Sequence, residues 1–248
     1  FSSMPVLKLT PFRRPTFVMA CGLNLVIGFG LYAATYLTPV FLGRVRDYSS
    51  LQIGVTVFVT GVAMTVTAPI AARLSTRVDG RYVIAVGFAG FALALWMFSG
   101  ITADSGFAEL FWPQVIRGLA ILLCIVPAVG MALNGVAPVE LRYASGLFNL
   151  MRNLGGAIGI AVVNTWLQDF TRIHTLALSS AMGEAPDKAA AMLQGLAGNA
   201  LAWTPDAARA LAIALAQLGQ VVGRQAATLA FEDTFRLMAW LFLAALLF

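Results

Sequence analysis

The stretch FWPQVIRGLAILLCIVPAVGMALNGV, residues 111–136, contains a single charged side chain, that of Arg117. A bilayer core about 30 Å thick needs about 20 mostly apolar residues to be crossed as a helix. Four other stretches are comparable, and a sixth begins at Phe235 and is still apolar where the sequence stops at Phe248; the four are residues 16–41, 52–72, 82–101 and 144–167. The sequence predicts an all-α polytopic membrane protein, with five spans within residues 15–167 and the start of a sixth in 234–248.

The composition excludes an ordinary soluble protein. Hydrophobic residues make up 60% of the chain and charged residues 11%, whereas soluble domains contain about 45–50% and about 25%. The formal net charge of +5 could indicate nucleic-acid binding, but the basic residues stand singly or in pairs at span ends, so we predict no nucleic-acid partner. The first residues are Phe-Ser-Ser and the last lie in an apolar run, so we expect the sequence to be part of a longer protein.

The sequence lacks the residue groups of an enzyme or a metal site. Cys21 and Cys124 both lie in apolar spans, where a free cysteine behaves as a small hydrophobic residue, and their spacing fits neither a metal site nor a disulfide framework. The single histidine, His174, lies outside the spans and has no nearby Ser/Asp grouping. We predict no metal, no cofactor and no enzymatic activity.

The arginines predict the orientation. Seven basic residues lie before the first span or in the connections on the same side, against two, Arg44 and Arg46, on the other side; the seven are Lys8, Arg13, Arg14, Arg73, Arg77, Arg81 and Arg142. Basic residues in short connections remain in the cytoplasm. Residues 1–14 are therefore predicted to be a cytoplasmic lead-in to a protein of the bacterial inner membrane.

The segment 168–233 is then predicted to be a long non-cytoplasmic loop. Thr204-Pro205-Asp206 is typical of a helix start, with Thr204 as the N-cap. Apolar residues then recur at helical spacing up to Val222, which predicts an amphipathic helix that continues toward the sixth span. This helix could lie on the membrane surface, cap the bundle or bind a partner.

Polar groups inside spans are candidates for function because an unpaired one is costly in the bilayer. Arg117 is predicted either to extend to the outer interface or to have a coupling role. Arg152 lies deeper, and Asn149 and Asn153 share a helix face beside it, which predicts either a conformational or coupling role or hydrogen bonding between helices. The spans contain no Asp or Glu, so a carboxylate that binds a transported proton would belong to another part of the protein.

Small residues and prolines predict the packing and the bending of the spans. Gly155 and Gly159 form a GxxxG pattern, with Gly156 between them, which allows two helix backbones to approach closely. Pro127 with Gly130 is predicted to break the fourth span near its middle, as happens in the moving helices of carriers.

A substrate cavity and a basic loop are the remaining candidates. The cavity is predicted to be lined by Asn24, Gly28, Tyr32, Tyr36 and Asn134, although each could equally serve helix–helix packing. The three arginines of the 72–81 connection either set the orientation or act as a latch between helices; they are Arg73, Arg77 and Arg81.

One family resembles this order of motifs. Trp112-Pro113-Gln114 at a span start is followed by a Pro/Gly-containing span, by GVAPVELR at 135–142 and by ASGLFNLMRNLGGAIG at 144–159. This resembles the C-terminal half of the fourteen-span drug:proton antiporters of the major facilitator superfamily, the EmrB/QacA type. The 72–81 loop departs from that family's basic motif, with Ala72 in place of its Gly and Thr76 in place of its Asp.

The resemblance implies the C-terminal six-helix bundle of a proton-driven multidrug efflux permease working by alternating access. It also implies a preceding N-terminal half that holds the proton-binding acids, a periplasmic adaptor protein and an outer-membrane channel as partners, and a small hydrophobic or cationic substrate. Two alternatives remain at this point: a facilitator for one metabolite, and a non-transporting membrane scaffold or degenerate half-transporter.

Overall fold

The computed structural model describes residues 10–184, 186–204 and 206–246. In these ranges a short 3₁₀ helix, Thr10–Arg13, precedes seven α-helices, and no strand is present: α1 Pro15–Arg44, α2 Ser50–Arg77, α3 Gly80–Phe98, α4 Phe107–Leu133, α5 Pro138–Glu184, α6 Pro186–Leu201 and α7 Ala207–Ala245. Helices α1 to α5 are each long and apolar enough to cross a membrane. The all-α polytopic membrane class is therefore confirmed.

Helices α1 to α5 and the last part of α7 form a six-helix bundle. α1 lies at its centre and contacts α2, α4, α5 and α7. The core that α7 shares with α1 and α3 is aromatic, with Phe41 edge-on to Phe231 at 5.4 Å and Phe98 stacked on Phe235 at 5.0 Å between ring centroids. α2 lies at the margin of the bundle, and most of its side chains are therefore exposed.

Local capping fixes where the helices begin. Ser49 and Gln52 form a capping box at the start of α2, which satisfies backbone groups that a helix end leaves unpaired. The Asp79 side chain accepts a hydrogen bond from the Arg81 backbone N–H at the start of α3. The predicted basic turn 72–81 is thus mostly helical, because α2 continues to Arg77 and α3 begins at Gly80.

The predicted break in the fourth span is wrong. α4 is one continuous helix from Phe107 to Leu133, with Pro127 inside it. A Cβ atom on Gly130 would meet nothing within 4 Å. Proline is tolerated in membrane helices because neighbouring helices and local adjustments compensate for the missing hydrogen bond. Pro127 is itself buried against the bundle.

The predicted loop 168–233 is mostly helical. α5 has 47 residues, so at 1.5 Å per residue it is about 70 Å long, more than twice the thickness of a bilayer core. Residues 168–184 of α5, all of α6 and residues 207–225 of α7 form what we call the hairpin. α7 then continues as one helix into the predicted sixth span.

The start of α7 differs from the prediction by two residues. Asp206, not Thr204, is the N-cap, and its side chain accepts a hydrogen bond from the Ala208 backbone N–H at 3.0 Å. Pro205 and residues 247–248 lie outside the described residues, as do residues 1–9 of the predicted lead-in. We call the end of the bundle that carries the hairpin the hairpin end, and the end with Arg14, Arg77 and Arg81 the basic end.

Candidate functional site: two arginines in the bundle

Arg117 of α4 is fully enclosed by the bundle. Its side chain is 2% exposed, so the predicted extension to the interface does not occur. One terminal nitrogen donates to the Ala34 carbonyl at 3.0 Å and to the Thr38 hydroxyl at 3.1 Å, both on α1. The other donates to the Thr60 hydroxyl of α2 and to the Gln114 side-chain oxygen, each at 3.0 Å.

Gln114 completes this group of polar residues. It is 0% exposed, and its amide nitrogen donates to the Thr56 carbonyl at 2.7 Å, while its oxygen also accepts from the Thr60 hydroxyl at 2.5 Å. We call Thr38, Thr60, Gln114 and Arg117 the polar node. It joins α1, α2 and α4 near the hairpin end.

The polar node holds a cation among neutral acceptors. No carboxylate pairs with Arg117 in the described part of the chain, and the ring of Phe98 lies 5.5 Å from the guanidinium carbon. A buried charge is stable only when its hydrogen-bonding groups are satisfied. The sequence pattern did not single out Thr38, Thr60 and Gln114, although Gln114 is three residues before Arg117 and therefore on the same helix face.

Arg152 of α5 has the opposite surroundings. It is only half-buried, and its side chain donates to the side-chain oxygen of exposed Asn149. Beside it, the Tyr32 hydroxyl donates to the Asn153 side-chain oxygen at 3.1 Å, and the Tyr36 hydroxyl donates to Asn164 at 3.2 Å. We call these residues the polar strip: Tyr32, Tyr36, Asn149, Arg152, Asn153 and Asn164.

The predicted cavity residues separate into three places. Tyr32 and Tyr36 belong to the polar strip, where Tyr32 is 39% exposed. Asn24 is buried between helices and donates to the Phe148 carbonyl at 2.5 Å, and Gly28 contacts the Arg152 backbone, so both lie in the α1–α5 packing. Asn134 is the exposed C-cap of α4 at the basic end, remote from the strip.

Glycines of α5 bring the backbones of α1 and α5 into contact beside the polar strip. A Cβ atom on Gly155 would collide with the Leu25 carbonyl, and one on Gly159 would lie 2.6 Å from the Phe29 carbonyl oxygen. Gly156 faces the Tyr32 ring. This close approach places the side chains of α1 within hydrogen-bonding distance of the asparagines of α5.

The three predicted loop arginines do not form a latch within the described residues. Arg73, Arg77 and Arg81 are exposed at the basic end, and no ion pair joins any of them to a described carboxylate. The nearest acid in sequence, Asp79, caps α3.

At the hairpin end, polar contacts that the sequence did not predict join the α1–α2 and α3–α4 connections to α7, and join α5 to α7. Arg46 and Arg224 both approach Asp104, at 3.4 and 3.7 Å, and both donate to the Ala103 carbonyl. His174 of α5 lies 2.8 Å from Asp233 of α7, at the base of the hairpin. Sequence spacing could not reveal these pairs, because the partners lie tens of residues apart.

Comparison with known proteins identifies the family. Residues 3–160 match the Major Facilitator Superfamily. The chain belongs to this superfamily. The match covers most of the bundle, so the six-helix arrangement is that of a major facilitator protein.

Within the superfamily the similarity is to EmrB-type drug exporters. The colistin resistance protein EmrB of Acinetobacter baumannii is 33% identical over 242 residues, which cover 95% of this chain and 45% of that protein. The multidrug export protein EmrB of Escherichia coli K12 is 27% identical over 78% of this chain and 38% of that protein. The multidrug resistance protein Stp of Mycobacterium tuberculosis is 27% identical over 67% of this chain and 31% of its own length.

The chain spans less than half of the length of each of these relatives. The family resemblance of the sequence is nevertheless confirmed, and the chain is a multi-pass membrane protein of the EmrB type.

Proposed function

We propose that this chain forms one bundle of a proton-driven multidrug efflux permease. The observation that carries the proposal is the polar strip: tyrosine, asparagine and arginine side chains lie exposed or half-buried on the apolar, membrane-spanning parts of α1 and α5. Polar groups are rare on membrane helices except toward a cavity or a partner. The names of the similar proteins, multidrug export and multidrug resistance, support an export function.

In this proposal the strip faces a second bundle across a substrate path. Tyr32 and Tyr36 offer aromatic rings to apolar or cationic compounds, while Arg152 and its asparagines change partners as the two bundles rock. The spans predicted from sequence hold no Asp or Glu, so the proton-binding carboxylate belongs to the other bundle. The N-terminal half expected from the family resemblance would supply it.

We further propose that the basic end faces the cytoplasm of a bacterial cell and that the protein lies in the inner membrane. This orientation follows the positive-inside rule and directs the hairpin outward. The hairpin and the turn after α6 expose large apolar side chains beyond the bundle, which suits docking of a periplasmic adaptor that continues to an outer-membrane channel. They include Leu176, Leu201, Trp203, Leu211 and Leu215.

The test is ethidium efflux from energised cells that express the full-length parent protein. Arg152→Ala should abolish uncoupler-sensitive efflux at equal membrane expression. Arg172→Ala is the matched control, because Arg172 is an exposed arginine of the same helix within the hairpin. It should leave dye efflux unchanged.

Two results would contradict parts of this proposal. If the wild type exported none of several cationic and apolar dyes, a carrier for one metabolite or a non-transporting membrane protein would replace multidrug efflux. If Arg152→Ala exported dye as the wild type does, the export function would stand and Arg152 would be a packing residue.

A further inference from the structure

Helix α1 is held on two opposite faces over residues 32–38. Ala34 and Thr38 are buried, and on their face Arg117 donates to the Ala34 carbonyl at 3.0 Å and to the Thr38 hydroxyl at 3.1 Å. Tyr32 and Tyr36 belong to the polar strip. Residues two apart in sequence differ by about 200° around a helix of 3.6 residues per turn, so the tyrosines lie on the face opposite to Arg117.

The polar node gives this turn of α1 a fixed reference in α2 and α4. The second terminal nitrogen of Arg117 donates to Thr60 and to Gln114, each at 3.0 Å. The Gln114 amide nitrogen in turn donates to the Thr56 carbonyl of α2 at 2.7 Å. The guanidinium therefore cannot turn away from α1 without leaving buried polar atoms unpaired, which is costly.

The same turn of α1 has a weakened backbone. Pro39 lies inside the helix and has no backbone N–H, so the Thr35 carbonyl, four residues earlier, lacks its helical hydrogen bond. The Ala34 carbonyl accepts from the Thr38 hydroxyl at 2.9 Å as well as from Arg117. Side-chain hydrogen bonds from the neighbouring helix therefore help to set the position of this turn.

The opposite face of the turn carries the tyrosines toward α5. The Tyr32 hydroxyl donates to Asn153 at 3.1 Å, and the Tyr36 hydroxyl donates to Asn164 at 3.2 Å. Among the described residues, no hydrogen bond joins the polar node directly to the polar strip. An effect of the node on these tyrosines must therefore pass through α1.

We propose that Arg117 is a positioning residue for Tyr32 and Tyr36. By holding Ala34 and Thr38 it fixes the rotation of α1 about its axis, and thereby the direction in which the two tyrosines face the substrate path. This role rests on the proposed function, in which the polar strip lines that path. It makes the affinity for substrate depend on a buried group that the substrate does not touch.

The first test separates the hydroxyl of Thr38 from its shape, with ethidium efflux from energised cells that express the full-length parent protein. Thr38→Val keeps the shape and removes the hydroxyl, and it should raise the apparent KM for ethidium several-fold at an unchanged maximal rate. Thr38→Ser keeps the hydroxyl and should restore most of the affinity. Thr67→Val is the matched control, because the hydroxyl of this buried α2 threonine bonds only to the Ala63 carbonyl of its own helix; it should leave KM unchanged.

The second test reads the setting of α1 without transport. Thr35 is exposed between the two tyrosines, whereas Cys21 and Cys124 are buried, so Thr35→Cys provides a reporter for a hydrophilic maleimide. Its labelling rate in the detergent-purified full-length protein is read by mass spectrometry of the peptide that contains residue 35. Adding Thr38→Val should change this rate several-fold, and adding Thr67→Val should not. An unchanged thermal unfolding profile establishes that each variant is folded.

Three results would overturn the positioning role: a wild-type KM in Thr38→Val, an equal rise of KM in Thr67→Val, or an equal rise in Thr38→Ser. The last would show that the shape of the side chain matters and not its hydroxyl. Because labelling is read without transport, an absence of dye efflux in the wild type would count against the proposed export function alone, and a labelling rate that Thr38→Val leaves unchanged would count against the positioning role alone.

Discussion

The polar node around Arg117 and the polar strip around Arg152 show two ways of placing an arginine in a membrane bundle. Arg117 is enclosed by three helices and donates to four oxygen atoms. Arg152 is half-buried at the bundle surface and donates to one asparagine of its own helix. The enclosed arginine links α4 to α1 and α2, whereas the surface arginine is free to exchange partners.

The difference arises from the helices that surround each residue. α4 packs against α1, α2 and α3, so a side chain in its middle meets neighbours on most sides. The α5 face that carries Asn149 and Asn153 is exposed, because the close α1–α5 crossing occupies only the adjacent glycine face. An arginine with fixed partners stabilises a fold, and an arginine with few partners suits a moving surface.

The largest effect is expected from filling the α1–α5 crossing, which positions the strip. Gly155→Leu should destabilise the bundle by about 1–3 kcal/mol or more, because its side chain would meet the Leu25 backbone, which cannot move aside independently. The measurement is the amount of monodisperse protein and its thermal unfolding in detergent. Gly146→Leu on the same helix is the control, since a Cβ there meets nothing within 4 Å. Equal behaviour of the two variants would show that the crossing is looser than described.

The next effect compares the two arginines directly. Arg117→Met should lower the free energy of unfolding by about 1–3 kcal/mol, because buried acceptors on α1 and α2 lose their donor. Arg152→Met should change it by less than about 0.5 kcal/mol, as for other surface substitutions. Parallel denaturation curves in one detergent measure both. If Arg152→Met destabilised the protein more than Arg117→Met, the distinction between the polar node and the polar strip would be wrong.

A smaller effect is expected at the base of the hairpin, where the hydrogen bond between His174 and Asp233 lies outside the bundle. His174→Ala removes the contact with Asp233, and partly exposed pairs contribute about 0–1 kcal/mol. Hydrogen exchange should rise in residues 168–184 and 207–225 while the bundle keeps its protection. Arg172→Ala, two residues away on the same helix, should leave that exchange unchanged. A rise across all helices would instead mean that the hairpin is not a separate unit.

The smallest stability effect is expected from the strip itself. Tyr32→Phe removes one hydroxyl that donates to Asn153 at a partly exposed site, and we expect a change within about 0.5 kcal/mol. Tyr36→Phe, whose hydroxyl is more buried, is the comparison variant and should cost somewhat more. Unfolding measurements check both, and a loss above 2 kcal/mol for Tyr32→Phe would place that residue in the packed core.

Local sequence was a reliable guide to the helices of the bundle. Apolar length predicted α1 to α5 because a membrane span must satisfy its own backbone hydrogen bonds. It also predicted that an amphipathic helix continues into the sixth stretch, which α7 does. The sequence-based prediction was wrong at Pro127, where α4 continues, and across residues 168–184, where α5 continues. Proline and charge are local signals, whereas the continuation of a helix also depends on the residues that pack against it.

For the candidate sites, the sequence identified residue types and not their surroundings. It selected Arg117 and Arg152 as polar groups in apolar spans, and it placed Arg152 deeper than Arg117. In the structure Arg117 is buried and Arg152 is the more exposed of the two. Residues such as Thr38 and Thr60 were not recognisable, since a threonine in a membrane helix commonly bonds its own backbone, as Thr38 also does to Ala34.

The sequence by itself determined that this chain is a helical membrane protein of a known superfamily, because hydrophobic length and a run of family motifs are properties of the chain alone. Only the tertiary structure decided which polar groups are enclosed, which are exposed and which residues pair at the base of the hairpin. These depend on contacts between residues far apart in sequence, set by the close approach of α1 to α5 and the packing of α4 among its neighbours.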